Sequence, residues 1–277
     1  MSSSVNDTHP SIVGLDIGSS YVKAVVLRSE NPPAIEAKYL EKTGYDLSAA
    51  VESVLSHVPT PFVLGVTGYG RSRWKGMVRK TEISALARAV QALGVTDGTV
   101  VDIGGQDCKV LKIRNGALID HALNRRCAAG TGSYLEFIAH RLNIAPDALN
   151  DRAAQASGMH RLNSFCTVFA STEILDCMNR DIPLPHLIRG LYASIAERVS
   201  EIASLDSPVY LSGGVIGHHP VLVDGFKMVL DKDIDINVLP DPQYLAALGM
   251  AVYVQEIIEK GDTPHERTVS KFADTPG

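Results

Sequence analysis

The sequence predicts an α/β protein with two similar lobes. Segments typical of strands and of helices alternate along most of the 277 residues, which is the pattern of mixed α/β folds. The chain is also long for one compact core. A strand, a glycine turn and a second strand occur twice, because GLDIGSSYVKAVVL and VVDIGGQDCKVLKI align without a gap. This internal duplication favours two lobes of one architecture that face each other.

The first lobe is expected to span residues 11–95. A hairpin is predicted for SIVGLDIGSS and YVKAVVLRS, which a Gly-Ser turn joins, and a further strand for PFVLGVTGYG. A helix is predicted for TEISALARAVQALG, where apolar residues recur at helical spacing and Gly94 ends the pattern. These apolar positions are Ile83, Leu86, Ala87, Val90 and Leu93.

The second lobe is expected to span residues 96–242. It begins with the second hairpin, GTVVDIGGQDCKVLKIRNG, and a long helix with an apolar core face is predicted for HLIRGLYASIAERVSEIAS. Strands are expected in SPVYLSGGVIGHHP and IDINVLP, and a closing helix at 243–260 is expected to pack on the first lobe. Residues 1–10 and 261–277 lack apolar periodicity and are interpreted as tails.

The composition excludes some classes of function. A formal net charge of −5 and 6% aromatic residues provide no basic or base-stacking surface for nucleic acid and no attraction to an anionic membrane. The N-terminal MSSSVNDTHP lacks the features of a secretory signal, and no apolar run reaches the roughly 18 residues of a membrane span. We therefore expect a cytoplasmic protein whose four cysteines are free thiols or metal ligands.

Each glycine turn carries an aspartate two residues before its first glycine, Asp16 in the first turn and Asp102 in the second. Glycine lets backbone N–H groups come close to a phosphate. A carboxylate beside a phosphate needs a cation between the two charges, and Mg²⁺ is the usual one. Asp-x-Gly is also common at strand ends, but two aligned copies and a third glycine-rich strand end, Ser212-Gly213-Gly214, favour a nucleotide site.

GLDIGSSYVK, DIGGQDCK and LSGGV resemble the two phosphate motifs and the adenosine motif of the acetate kinase, sugar kinase, Hsp70 and actin superfamily. The resemblance runs over residues 12–251 and implies two ribonuclease-H-like (actin-like ATPase) lobes with ATP or ADP in a cleft between them. It implies Mg²⁺ at Asp16 and Asp102. The other residues that it implies around the nucleotide are Gly18, Ser19, Ser20, Lys23, Gly104, Gly105, Gln106, Gly130, Thr131, Gly132, Ser212, Gly213, Gly214, Val215 and Gln243.

Within that superfamily, NRRCAAGTGSYLEF around Cys127 and NSFCTVFASTEI around Cys166 look like one branch. This branch contains the ATP-dependent activators of 2-hydroxyacyl-CoA dehydratases and the ATPase subunits of benzoyl-CoA reductase; TGYGR and PQYLAALGMA fit it too. The resemblance implies a homodimer in which Cys127 and Cys166 of both subunits bind one shared [4Fe–4S] cluster. It also implies an electron-accepting iron–sulfur partner enzyme and an upstream ferredoxin or flavodoxin.

The chemistry of cysteine agrees with that implication. A [4Fe–4S] cluster needs four thiolates, and two cysteines per chain supply four across a two-fold axis. Cys127 and Cys166 are both expected at helix starts, where free N–H groups favour a thiolate. The alternative for a free cysteine is a small buried hydrophobe, which we expect for Cys108 and Cys177.

The candidate catalytic residues are Asp16, Asp102, Gln106 and Glu173. Hydrolysis of ATP needs a positioned water beside the phosphates, and Gln106 or Glu173 could hold it. Glu173 could instead contact the nucleoside.

The sequence departs from the pattern of the branch at a few positions. Arg125 and Arg126 replace an Asp-Lys pair, and Leu86 stands where histidine is frequent. His218 and His219 follow the adenosine motif, and we expect them on a surface turn and not at a metal.

Two other classes of function use the same nucleotide motifs. A small-molecule kinase, acting on an amino sugar or an acyl substrate, would need a catalytic aspartate, for which Asp107 is the nearest candidate. A non-catalytic ATP-sensing scaffold would not need Asp16 or Asp102. A kinase gives no reason for both cysteine segments, so we favour an ATP-dependent one-electron donor.

Overall fold

The computed structural model describes residues 10–28, 34–163 and 166–261, and within them the chain forms two compact units. Unit 1 comprises the described residues up to Gly94 and from Tyr244 onward, and unit 2 comprises those of Val95–Gln243. The described strands are β1 (Ser11–Ile17), β2 (Tyr21–Arg28), β3 (Ala34–Lys42), β4 (Phe62–Thr67), β5 (Val78–Arg79), β6 (Gly98–Ile103), β7 (Cys108–Arg114), β8 (Ala117–Asn124), β9 (Val209–Ser212) and β10 (Ile236–Val238). The described α-helices are α1 (Leu47–Ser56), α2 (Glu82–Ala92), α3 (Gly132–Arg141), α4 (Ala148–Ala154), α5 (Thr167–Asn179), α6 (Leu184–Ser200), α7 (Gly214–His218), α8 (Leu222–Val229) and α9 (Leu245–Glu259).

Unit 1 is built on a five-stranded mixed sheet in the order β3-β2-β1-β4-β5. β1 pairs antiparallel with β2 and parallel with β4, so the predicted hairpin is confirmed. Val13, Leu15 and Ile17 point from β1 into a core that also holds α1. The register places Asp16 of β1 opposite Lys23 of β2, so their side chains lie on the same face of the sheet.

The last helix, α9, belongs to unit 1 and packs on α2 and β1. Glycine makes both contacts possible. A Cβ atom on Gly249 would lie 1.7 Å from the Ala85 carbonyl oxygen of α2, and one on Gly14 of β1 would lie 1.9 Å from the Ala247 carbonyl oxygen. The predicted α2 helix is confirmed, with Leu86 buried in it and Gly94 just beyond its last residues. The backbone of α9 therefore rests directly on α2 and on the central strand of the sheet.

Unit 2 repeats this sheet in the order β10-β9-β6-β7-β8. β6 pairs antiparallel with β7 and parallel with β9, as β1 does with β2 and β4. Asp102 stands opposite Lys109 on one side and beside Ser212 on the other. The predicted duplication and the α/β fold class are therefore confirmed. The long helix α6 buries Leu187, Ile188, Leu191, Ile195 and Val199, the face predicted to pack in a core.

The structure contains elements that the sequence pattern did not predict. They include β3 and α1 in unit 1, and β8 in unit 2. β3 and β8 are edge strands in equivalent places, each next to the second strand of a hairpin. In the described part of the chain, no helix combines the length and the apolar character needed to cross a membrane.

Candidate functional site

The first glycine turn joins β1 to β2 and is held from the end of β3. The Gly18 N–H donates to the Tyr21 carbonyl at 3.1 Å, which closes the turn. The Thr43 hydroxyl donates to the Gly18 carbonyl at 2.9 Å, and the Thr43 N–H donates to the Ser20 carbonyl at 2.9 Å. Ser19, at the tip, is exposed. The turn is therefore fixed by its carbonyl groups, with Ser19 at the surface.

Asp16 lies two residues before Gly18 and is buried, with 5% of its surface exposed. Its Oδ2 accepts a hydrogen bond from Lys23 Nζ at 2.8 Å. Its Oδ1 is buried and has no hydrogen-bond partner among the described residues. Gly68 covers this atom, since a Cβ there would lie 2.6 Å from Oδ1, and its φ of 93° favours glycine. A buried carboxylate oxygen without a donor suits a cation ligand.

The second glycine turn joins β6 to β7 and carries a larger charge network. The Gly104 N–H donates to the Asp107 carbonyl at 2.9 Å and closes the turn. Lys109 is buried, whereas its duplicate Lys23 is half-buried. Lys109 donates through Nζ to Asp107 Oδ1 at 2.8 Å and to Asp102 Oδ2 at 3.5 Å. The Ser212 hydroxyl donates to Asp102 Oδ1 at 2.9 Å. Both carboxylate oxygens of Asp102 are thus engaged, unlike those of Asp16.

The third glycine-rich segment follows β9 and opens α7. Gly213 has a φ of 97°, and a Cβ there would lie 2.2 Å from the Ile103 carbonyl oxygen of β6, so this position requires glycine. Its N–H donates to the Pro242 carbonyl at 2.9 Å. The Gln243 side chain lies 3.7 Å from the Cβ position of Gly214, and its Nε2 is buried without a partner in the described residues. Ser212, Gly213, Gly214 and Gln243 therefore come together beside Asp102, and Val215 is buried behind them.

Cys127 lies in a loop before α3 and is exposed. The expectation that it stands at a helix start is wrong, because α3 begins only at Gly132, after Thr131 as N-cap. The reason is a turn at residues 128–131. Thr131 donates from its N–H and its hydroxyl to the Ala128 carbonyl, and Gly130 has a φ of 86°, outside the helical region.

Asn124, which the sequence did not single out, clasps this loop. Its Oδ1 accepts from the Cys127 N–H at 3.2 Å and from the Arg126 N–H at 3.3 Å. Its Nδ2 donates to the Cys127 carbonyl at 3.2 Å and to the Ala129 carbonyl at 3.4 Å. An asparagine three residues before a cysteine is a recognisable turn signal, but a weak one.

The loop is also attached to the second glycine turn. The Gly132 N–H donates to the Gly104 carbonyl at 3.0 Å, and the Ser133 N–H and hydroxyl donate to the Gly105 carbonyl at 2.7 and 2.8 Å. These first N–H groups of α3 are therefore used by the turn itself. The backbone of the Cys127 segment and that of the turn form one continuous hydrogen-bonded unit.

Cys166 is the N-cap residue of α5, as predicted, and its carbonyl accepts from the Ala170 N–H at 2.8 Å. Its thiol is exposed. Glu173, about two turns further along α5, accepts through Oε1 from the Asn163 N–H at 2.7 Å and from Asn163 Nδ2 at 3.2 Å. Glu173 thus holds the segment that enters α5. The residue pair 164–165, within that segment, lies outside the described residues.

The remaining cysteines are buried, Cys108 on β7 and Cys177 on α5. Burial raises the pKa of the Cys108 thiol, and the neighbouring Asp102 adds to the rise. Burial is also the main cause that raises the pKa of Cys177. Both therefore remain protonated hydrophobes, as expected, whereas Cys127 and Cys166 are accessible. Among the described residues, no three His, Cys, Asp or Glu side chains form a metal-binding group.

The His pair after the adenosine motif separates. His218 is exposed, with Nδ1 3.9 Å from Asp147 Oδ1. His219 is buried, and its Nδ1 lies 2.9 Å from the Tyr192 hydroxyl. Burial lowers the pKa of His219 to about 4, with His218 as the second cause. The expectation of a surface turn is therefore wrong for His219, which packs in the core of unit 2.

Comparisons with known proteins agree with these features. The chain is similar to the activator of lactoyl-CoA dehydratase from Anaerotignum propionicum, with 32% identity over 260 residues that cover 90% of this chain and 98% of the relative. The structure of the activator of the 2-hydroxyisocaproyl-CoA dehydratase from Clostridium difficile with bound ADPNP matches with a TM-score of 0.81 and 29% identity, covering 91% of this chain and 97% of that one.

A more distant likeness concerns the fold alone. A ROK family glucokinase from Streptomyces griseus, in complex with glucose and AMPPNP, matches with a TM-score of 0.55 at 12% identity, covering 89% of this chain and 99% of that one.

The profile of the BadF/BadG/BcrA/BcrD ATPase family matches residues 13–254, which is most of the chain. With its duplicated glycine turns and its two accessible cysteines, the chain belongs to the BadF/BadG/BcrA/BcrD ATPase family.

Proposed function

We propose that this chain is an ATP-hydrolysing one-electron donor that reduces and activates an iron–sulfur partner enzyme of CoA-ester metabolism. The observation that carries the proposal is the position of the two exposed thiols. Cys127 lies on a segment hydrogen-bonded to the second glycine turn, and Cys166 caps the N-terminus of α5. Family membership and relatives that are named activators of CoA dehydratases support the same function.

The nucleotide would be bound by the three glycine-rich segments. Gly18, Ser19 and Ser20 would approach phosphate oxygens in unit 1, and Gly104, Gly105 and Gln106 would do so in unit 2. Ser212, Gly213, Gly214, Val215 and Gln243 would border the nucleoside. The unpaired buried Nε2 of Gln243 supports this, because a donor left without a partner suits a ligand acceptor. Gln106, exposed at its turn, is our candidate for positioning the attacking water.

Mg²⁺ is proposed beside the phosphates, where it would offset negative charge and orient the nucleotide. Asp16 is the better ligand candidate of the two aspartates. Its Oδ1 is buried and has no hydrogen-bond partner among residues 10–28, 34–163 and 166–261, whereas Asp102 accepts through both oxygens. Lys23 and Lys109 hold the two carboxylates in place through ion pairs.

A [4Fe–4S] cluster is proposed at Cys127 and Cys166, where it would store the electron. The donor set fits this cluster in type, since it needs thiolates and both thiols are accessible. It fits in number only when two chains each contribute two cysteines, because the described residues of one chain hold no larger metal-binding group. The N-cap position of Cys166 places its thiol at the positive end of the helix dipole, which would attract an anionic cluster.

The role proposed for the chain's own residues is to position the two thiols according to the nucleotide. Asn124 orients the Cys127 loop, and Glu173 fixes the entry to α5 through Asn163. The second glycine turn, which would face the phosphates, shares hydrogen bonds with the Cys127 segment. Electrons would arrive from a ferredoxin or flavodoxin and leave to the partner enzyme, with hydrolysis of ATP gating the transfer.

The experiment that tests the proposal is anaerobic purification of the full chain with measurement of iron, sulfide and molecular mass. We expect about four irons per dimer in the wild type. Cys127→Ala should lose the iron and the brown colour, because only two of the four thiolates per pair of chains remain. Cys177→Ala is the matched control, since this thiol is buried, and it should keep its iron. A colourless wild type that hydrolyses ATP after anaerobic reconstitution would contradict the proposal and favour a kinase.

A further inference from the structure

The sequence of this chain places Arg125 between the clasp residue Asn124 and Cys127, and the side chain reaches back to the second glycine turn. Arg125 Nε lies 3.8 Å from Asp107 Oδ2, although 61% of the arginine side chain is exposed. Asp107 is part of the turn, because its carbonyl accepts from the Gly104 N–H. This ion pair is a contact of the Cys127 segment with the turn that is separate from the backbone contacts at Gly132 and Ser133.

The ion pair is the outer end of a row of alternating charges. Ser212 donates to Asp102, Asp102 accepts from Lys109, Lys109 donates to Asp107, and Asp107 faces Arg125. Lys109 is buried, with 5% of its side chain exposed, and it is shared by two carboxylates. A change in the charge near Lys109 therefore changes the strength of its attraction to Asp107, and with it the strength of the ion pair between Asp107 and Arg125.

We propose that Arg125 is the positioning residue that transmits the nucleotide state from the second glycine turn to Cys127. The inference rests on the proposed binding of nucleotide phosphates at this turn. A phosphate there competes with Asp107 for the Lys109 ammonium. The ion pair between Asp107 and Arg125 then becomes stronger and holds the Cys127 loop closer to the second glycine turn. Binding of nucleotide at residues 104–107 thereby makes Cys127 less accessible.

The test uses the full-length, cluster-free chain, so that the thiols are open to a reagent. Alkylation by N-ethylmaleimide is followed by mass spectrometry of the Cys127 and Cys166 peptides, with and without MgADPNP. The readout is the alkylation rate of Cys127 without MgADPNP divided by its rate with MgADPNP. An effect of the arginine charge on the thiol itself changes both rates alike and therefore cancels. We expect MgADPNP to slow alkylation of wild-type Cys127 about two- to fivefold, the range that one partly exposed ion pair can supply.

Three variants separate this role from a general effect on the fold. Arg125→Ala should bring the ratio to about one. Arg125→Lys should restore part of the wild-type ratio, because the charge remains but the planar donor group is lost. Arg126→Ala is the matched control, because its exposed side chain forms no ion pair within the described residues and the ratio should stay at its wild-type value. The ratio for Cys166 should be the same in all variants.

Titration calorimetry of the same samples with MgADPNP distinguishes the two levels of the proposal. Binding to the wild type together with an unchanged ratio in Arg125→Ala would overturn the role of Arg125 and leave the nucleotide site standing. Absence of binding to the wild type would overturn the proposed function and the role of Arg125 with it.

Discussion

At the scale of single residues, the environment of Asp16 separates the two copies of the duplicated motif. Asp16 and Asp102 occupy equivalent positions and each faces a lysine on the neighbouring strand. Asp102 also accepts from Ser212, whereas Asp16 keeps one buried oxygen without a donor in the described part of the chain. Gly68 closes over that oxygen at a backbone angle that favours glycine. We infer that the lack of a side chain at Gly68 leaves room for a ligand that interacts with Asp16 Oδ1.

Gly68→Ala tests this packing. The new methyl group would lie 2.4 Å from the Ile17 carbonyl oxygen and 2.6 Å from Asp16 Oδ1. We expect a loss of about 3 kcal/mol in the free energy of unfolding in urea, the sum of roughly 1 for the left-handed backbone and roughly 2 for overpacking. Gly94→Ala is the control, because Gly94 has a similar φ of 81° but no atom within 4 Å of its Cβ position. Equal losses in the two variants would show that crowding at Asp16 has no effect.

At the scale of secondary-structure elements, an element could be predicted from the sequence when the pattern that stabilises it lies within its own segment. Hairpins and amphipathic helices such as β1–β2, β6–β7, α2 and α6 were predictable, because their alternation or helical spacing lies within the segment. The edge strands β3 and β8 were not, because AIEAKYLEK and ALIDHALN are half exposed and become strands through pairing with one neighbour. α1 did carry a signal, namely the N-cap Asp46 and buried residues at helical spacing.

The candidate site divides in the same way. The position of each glycine turn between two paired strands was predictable, because the turn and both strands lie in one segment, whereas the binding of phosphate by the turns and of a cluster by the cysteines stays a prediction. The start of α3 was misplaced by five residues relative to Cys127, because Gly130 adopts a positive φ that the motif does not reveal and that keeps the preceding residues out of the helix. The clasp by Asn124 was missed, since a single asparagine becomes a bridge only when the loop folds around it.

Asn124→Ala tests the Cys127 loop as an element. The variant removes the acceptor of the Arg126 and Cys127 N–H groups and the donor to two carbonyls. We expect amide hydrogen exchange at Cys127 to accelerate about five- to tenfold, because a lost hydrogen bond is worth about 1 kcal/mol. Asn124→Asp keeps the acceptor and should retain most of the protection. An exchange rate unchanged by Asn124→Ala would mean that the loop is held by other contacts.

At the scale of the whole molecule, one chain is chemically incomplete for the proposed function. Each chain offers two accessible thiols, and the cluster requires four thiolates. The cluster would therefore be both the redox centre and a covalent bridge between subunits, so metal binding and dimer formation share one free energy. The net charge of −5 on each chain repels a second copy weakly and does not provide this contact.

Removal of iron tests that linkage. Treatment of the anaerobic protein with a chelator and reductant should lower the mass measured by light scattering by about half, because a contact bridged by four thiolates is lost. Cys177→Ala should behave as the wild type before and after treatment, since this residue is buried within α5. A dimer of unchanged stability after complete loss of iron would show that the subunits associate through protein surfaces alone.

The close packing of α9 on Gly14 and Ala85 has a consequence for how the protein is made. Unit 2 is continuous in sequence, whereas unit 1 is completed by residues that follow it. During synthesis, the ribosome therefore releases all of unit 2 before it releases α9. Until then the sheet that carries Asp16 lacks the helix that covers Gly14, and its apolar face is open to water or to a chaperone. The polypeptide order thus delays completion of unit 1, which carries the first glycine turn, until after the cysteine segments have emerged.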